Sequence, residues 1–156
     1  MTEVGNQAPN FTLPDQDRQK VILTEEIAEH GTVVLAFFPA AFSSVCTKEL
    51  CTFRDQLDNL DRLKNARILG ISVDTPFSLK AFSTQEALNF PLLSDFNKMV
   101  IRAYGVVNPD MIGLKDISKR AVFVIGSDGS IRHQEILDDA RLEPNYEKLY
   151  EVVKAI

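Results

Sequence analysis

The sequence predicts an α/β domain built on a mixed, centrally buried β-sheet. Two runs rich in β-branched and aromatic residues, Thr32–Phe38 and Ile68–Val73, show no polar alternation and read as strands buried on both faces. Each is followed by a helical pattern, the alternation that builds parallel sheet. Towards the C-terminus, Arg120–Ile125 and Ile131–Glu135 flank the turn Ser127-Asp128-Gly129-Ser130, a hairpin that adds antiparallel strands.

The remaining elements follow in order. Phe11-Thr12-Leu13 and Val21-Ile22-Leu23 are short strands joined by a polar turn over Pro14–Gln19. Thr24 is placed to cap a short helix that stops before Gly31. After the strand Thr32–Phe38, Pro39 ends the extended run. Leu50, Phe53, Leu57, Leu60 and Leu63 then recur at three- and four-residue intervals, predicting a helix from Ser44 to Lys64. Pro76–Leu88 reads as a helix, Phe90–Leu93 as a short strand and Lys98–Tyr104 as another helix. Pro144 opens a C-terminal helix carrying Tyr146, Leu149, Tyr150, Val152 and Val153. No repeat, tract or linker divides the chain, so residues 1–156 are expected to form one domain.

At 156 residues, 45% apolar and 25% charged, the composition is that of a soluble globular protein large enough to need no disulfide framework or structural metal. Basic residues number 17 against 22 acidic, a net charge of −5, which argues against a nucleic-acid or anionic-membrane partner. Met1–Asn6 has neither the basic nor the apolar region of a secretory signal, and the longest apolar runs fall far short of the roughly 20 residues that span a bilayer. A cytoplasmic protein is the expectation. The chain holds two cysteines, Cys46 and Cys51, and in a reducing compartment such a pair is more often chemical than structural.

The helix pattern places Cys46 in the first turn, directly after a buried strand, where open α/β sheets bind ligands. Free N–H groups and the positive end of the helix dipole there favour thiolate over thiol. Cys51 lies more than a turn deeper, so position alone makes Cys46 the better nucleophile. Residues five apart on a helix have Cα atoms about 8.7 Å apart, whereas a disulfide needs roughly 4.4 to 6.8 Å. Pairing of these two therefore requires the first turns to unwind. Other readings stay open on these grounds: two inert small hydrophobes, or a zinc site that lacks the rest of its ligands. His30 reads as a solvent-side loop residue and His133 as a hairpin residue, each structural. Phe37, Phe38 and Phe42 read as core or pocket wall.

Pro39-Ala40-Ala41-Phe42-Ser43-Ser44-Val45-Cys46 resembles the Pro-x-x-x-(Thr/Ser)-x-x-Cys signature of the peroxiredoxins, cysteine-based thiol peroxidases on a thioredoxin-like fold. The resemblance extends over Gly5–Asp15, Ile71–Asp74, Phe90–Asp95 and Lys119–Ile125, in the family's order. It implies that Cys46 is the peroxidatic cysteine, Ser43 its hydroxyl partner, Pro39 the shield of the pocket and Arg120 the distant arginine. Glu49, three residues after Cys46, lies on the same helix face and is placed to orient Arg120 or to serve as a surface charge. Ser43 doubles as a helix cap.

The five-residue offset of Cys51 resembles the resolving cysteine of the Q type, also called bacterioferritin comigratory protein. That implies reduction of hydrogen peroxide or organic hydroperoxide to a Cys46 sulfenic acid, an intramolecular disulfide with Cys51, and reduction by a thioredoxin-like or other thiol donor, without cofactor or metal. The Q type carries glycine before the peroxidatic cysteine; Val45 stands there, and Ser44-Val45 resembles the one-cysteine AhpE-like branch. A one-cysteine peroxidase in which Cys51 does not resolve, and a disulfide carrier or redox sensor, remain the alternatives. Monomer and homodimer are equally compatible with the sequence.

Overall fold

Short paired strands β1 (Thr12–Pro14) and β2 (Lys20–Ile22) open the chain, followed by helix α1 (Leu23–His30). A computed structural model of the protein describes residues 2–59, 63 and 66–156. Thr24 does not cap α1. The helix begins one residue earlier, and the Thr24 N–H donates instead to Asn10 Oδ1 at 3.1 Å. A cap contributed from 14 positions upstream leaves no local signature.

Central strand β3 (Thr32–Phe37) then leads into α2 (Ser44–Asn59). The final part of the expected helix, including Leu60 and Lys64, lies outside the described residues, while Leu63 is buried in the core. Next come β4 (Ala66–Ser72), α3 (Pro76–Gln85), β5 (Leu92–Ser94) and α4 (Met99–Ala103). Thr75 caps α3, its hydroxyl accepting from the Ser78 N–H, with Pro76 in the first turn where a missing N–H costs nothing.

A hairpin that the sequence did not predict follows, β6 (Val107–Met111) and β7 (Leu114–Ser118). Its two-residue turn puts Ile112 at φ 50° and Gly113 at φ 89°, as a tight hairpin requires. A β-branched residue in that position, after a strand containing Pro109 and Asp110, reads locally as loop.

The expected hairpin is present as β8 (Arg120–Ile125) and β9 (Ile131–Leu137), and α5 (Tyr146–Ala155) closes the chain. Pro144 does not open α5: Asn145 is the N-cap, its side chain accepting from the Lys148 N–H, and Pro144 precedes it.

The main sheet has the order β5-β4-β3-β8-β9. β3, β4 and β5 are parallel, whereas β8 runs antiparallel to β3 and to β9. The mixed sheet is that of a thioredoxin-like fold. Alternate residues of β3 feed two cores. Val33, Leu35 and Phe37 pack with Leu23, Ile101 and Tyr104 on one side. Val34, Ala36 and Phe38 pack with Leu50, Phe53, Phe82 and Leu149 of α2, α3 and α5 on the other. Burying both faces of a strand explains its uninterrupted apolar run.

Register fixes the site. Phe37, the last residue of β3, pairs with Ala121 of β8. Arg120, the first residue of β8, therefore lies at the same sheet edge from which the chain departs towards α2.

Candidate active site

The loop between β3 and α2 is held from outside itself. The Ala41 N–H donates to Asp74 Oδ2 at 2.8 Å, and the same oxygen accepts from Ser72 Oγ at 2.6 Å. Phe42 sits in the left-handed region at φ 68°, sparsely populated for a side chain of that size. Its ring stacks at 5.1 Å, tilted, on Phe82 of α3, yet it is 48% exposed. Phe37 and Phe38 are core as expected; Phe42 is a surface residue lying on the core's rim.

Ser43 does not act through its side chain as a helix cap. Its hydroxyl donates to the Ala40 carbonyl at 2.9 Å, and its own carbonyl receives the Thr47 N–H and hydroxyl at 2.9 and 2.8 Å. The serine tightens the turn into α2 rather than covering the helix's free N–H groups.

Cys46, the third residue of α2, is completely buried. Arg120 Nη2 donates to Cys46 Sγ at 3.2 Å, and Nη1 donates to Glu49 Oε2 at 2.9 Å. Nε and Nη2 also donate to the Ala140 carbonyl, at 3.3 and 2.9 Å. Arg120 is only 1% exposed, so it is not the exposed strand-end charge that lone arginines usually are. A planar guanidinium with several directed donors suits this bridge; an ammonium does not.

Burial opposes charge on Arg120, but Glu49 and the Cys46 sulfur outweigh it and hold the guanidinium above its ordinary value. Burial likewise pushes the Glu49 carboxyl up to about 7, against the opposing pull of Arg120. Glu49 Oε1 has no hydrogen-bond partner among the described residues. Hence the sulfur, the cation and the carboxyl form one desolvated unit, in which charge–charge effects are larger than in water.

This unit borders a cavity of about 630 Å³. Pro39, Ser43, Ser44, Val45 and Arg120 line it, together with Met111 and Ile112 of the β6–β7 hairpin and with Asp139 and Arg141. Asp139 is held down at about 2 by its bonds to Arg141, so it stays anionic at the rim at neutral pH.

Cys51 is in different surroundings. It is half-buried, and its thiol donates to Glu86 Oε2 at 3.4 Å. Burial and then the Glu86 bond push this thiol up, with Arg54 acting in the opposite direction. Both cysteines are free, and α2 is continuous between them, which keeps their Cα atoms about 8.7 Å apart.

Residues 4–134 match the model of the AhpC/TSA family. The chain belongs to that family. It is 38% identical over 149 residues to peroxiredoxin Bcp of Escherichia coli K12, covering 93% of this chain and 91% of that protein. It is 41% identical over 138 residues to alkyl hydroperoxide reductase E of Mycobacterium bovis, covering 87% of this chain and 86% of that one. Among solved structures it resembles peroxidoxin BcpB of Mycobacterium tuberculosis, with a TM-score of 0.87 and 29% identity over 100% of this chain and 99% of that one. It is a peroxiredoxin of the Bcp branch with AhpE-like features.

In this peroxiredoxin the fold brings Pro39, Ser43 and Arg120 to one cavity, with Cys46 buried behind it on Arg120 and Glu49 behind the arginine; Cys51 stands apart. His30 contacts Glu26 at 3.4 Å at the surface, and His133 pairs with Val124 in the sheet, so neither enters the site. Sequence reasoning missed the Ala140 carbonyl, which has no side-chain signal, the tether at Asp74, and the β6–β7 wall. It also missed Glu86, which is 35 positions from Cys51 and met only through tertiary packing.

Proposed function

We propose that this peroxiredoxin reduces hydrogen peroxide and organic hydroperoxides through Cys46, in the reducing cytoplasm. The Cys46 thiolate attacks one peroxide oxygen as the O–O bond breaks. The products are a Cys46 sulfenic acid and, after protonation, water or an alcohol. Negative charge grows on the leaving oxygen, and donors already in place lower that barrier by roughly 3 to 4 kcal/mol each. Arg120 is one such donor. A rotation about its Cβ–Oγ bond turns the Ser43 hydroxyl from the Ala40 carbonyl towards substrate. Pro39, which has no N–H, limits water on its side of the cavity.

Cys51 then displaces hydroxide from the sulfenic acid once the first turns of α2 unwind, giving an intramolecular disulfide and water. A thioredoxin-like or other thiol donor reduces that disulfide. One chain supplies both cysteines and the groups around them, so oxidation and resolution run alike in a monomer or a homodimer and call on no cofactor or metal.

The observation that carries this reading is the buried Arg120 guanidinium, 3.2 Å from Cys46 Sγ and tied behind to Glu49 at 2.9 Å. Mass-resolved single-turnover experiments on wild type, Cys46→Ser and Cys51→Ser test it. Wild type is expected to consume hydroperoxide rapidly and end as a disulfide. Cys46→Ser is expected to lose the reaction, and Cys51→Ser to react once and stall with one added oxygen. A wild type that attacks disulfides, but peroxide no faster than free cysteine does, is a disulfide carrier instead.

A further inference from the structure

We propose that Glu86 is the general base of the resolving step, its Oε2 taking the proton of the Cys51 thiol as Cys51 Sγ bonds to Cys46 Sγ. This rests on Cys51 being the resolving cysteine. The thiol already donates to Oε2 at 3.4 Å, so donor and acceptor are in contact before the reaction begins. Gln85 Nε2 donates to the other carboxyl oxygen, Oε1, at 3.3 Å, which leaves Oε2 turned towards sulfur.

The part of α2 that carries Cys51 is fastened independently of the Cys46 site. Arg54, one turn on, donates through Nη1 to the Glu86 carbonyl, and Asn89 Nδ2 donates to the Arg54 carbonyl at 3.2 Å. The Glu86 N–H is bonded to the Phe82 carbonyl at 3.0 Å, holding the residue at the end of α3. The second part of α2 is thus fastened to the segment that follows α3. When the first turns open, Cys46 is the member that travels, and it arrives at a thiol still in contact with its carboxylate.

Protonation state makes a base necessary. Burial and the Glu86 bond keep Cys51 a thiol, unreactive towards sulfenic acid until its proton is removed. The charged groups that face it are Glu86, Arg54 and Asp55; among these Glu86 alone accepts the thiol's hydrogen bond. The step balances without another reactant. The S–H bond of Cys51 and the S–O bond of Cys46 break and the S–S bond forms. The Cys51 sulfur is oxidised, the sulfenic sulfur is reduced, and the thiol proton passes through Glu86 to the departing hydroxide as water.

The test is Glu86→Gln, with Glu86→Asp as the conservative partner, followed by rapid-quench intact mass after one equivalent of hydroperoxide. Glu86→Gln is expected to prolong the sulfenic acid about ten- to a hundredfold, a modest share of general-base effects, while Glu86→Asp recovers part of the rate. In Glu86→Gln the resolving rate should rise tenfold per pH unit, because only free thiolate then attacks, whereas wild type shows a shallower slope. Alkylation of Cys51, read in a Cys46→Ser background, should move to lower pH in Glu86→Gln. Easier alkylation with slower resolution is the signature of a lost base; local loosening of the structure speeds both. Disulfide formation in Glu86→Gln at the wild-type rate or faster overturns the proposal. A wild type that never forms the disulfide overturns the resolving role of Cys51 itself, and the base with it.

Discussion

Five residues apart on α2, Cys46 meets a guanidinium and Cys51 a carboxylate. The first lies fully buried at the start of the helix, with Arg120 Nη2 at 3.2 Å. The second is half-buried, with Glu86 Oε2 at 3.4 Å. A cation beside sulfur balances negative charge; a carboxylate beside sulfur holds a proton in place. One helix therefore presents an attacker at its beginning and a protected thiol in its second part. Anchoring differs in the same way. The first part follows a loop with Phe42 at φ 68° and is held through the Arg120 side chain, whereas the second is bonded to the segment that follows α3, through Arg54 and Asn89.

After loss of Cys46 itself, the largest break in this comparison is removal of its cation. Arg120→Gln is expected to slow Cys46 oxidation by about a hundred- to a thousandfold, measured as the second-order rate of sulfenic acid formation. Arg120→Lys should recover little, because one ammonium does not bridge sulfur, carboxylate and carbonyl together.

Glu49→Gln is expected to have a smaller effect, roughly tenfold, with a characteristic pH dependence. The Glu49 carboxyl ionises at about 7 in the folded protein, so the Arg120–Glu49 ion pair forms as pH rises through neutrality. A step in the Cys46 oxidation rate near pH 7 should be present in wild type and absent in Glu49→Gln. Stability moves in the opposite direction. The folded state keeps this proton up to about 7 while the unfolded chain releases it near 4.5. Between those values the folded state binds more protons, and the contribution of Glu49 to stability falls with rising pH. Urea titrations from pH 4 to 8 should show that fall in wild type and a flatter curve in Glu49→Gln.

The smallest effect concerns the Cys51 end. Arg54→Ala removes the hydrogen bond to the Glu86 carbonyl and is expected to cost about 1 kcal/mol of stability. The rate of Cys46 oxidation is the reference against which a selective effect on disulfide formation is read. Equal losses in both steps would show that the two ends of α2 do not act separately.

Much of this was legible in the residues. The apolar run of β3, the Pro39 stop and the helical periodicity located Cys46 at a helix start, because burial and repeat length leave strong local patterns. The cysteine offset already implied that the two thiols are kept apart by the helix. What stayed hidden depends on partners distant in sequence. Nothing around Arg120 announces its burial, which comes from Cys46, Glu49 and the Ala140 carbonyl converging on it. The β6–β7 hairpin was invisible because Pro109 and Ile112 contradict strand and turn preferences. Ser43 looked like a cap by residue type, but its hydroxyl turned back to Ala40.

Hydrogen exchange along α2 in the reduced and oxidised states tests the division most directly. Oxidation by one equivalent of hydroperoxide is expected to remove protection over residues 44–50 and preserve it over residues 52–59, as Cys46 leaves the helix for a fixed Cys51. Equal protection of residues 44–50 in the two states, or equal loss over both segments, would contradict a mobile attacker and an anchored partner on one helix.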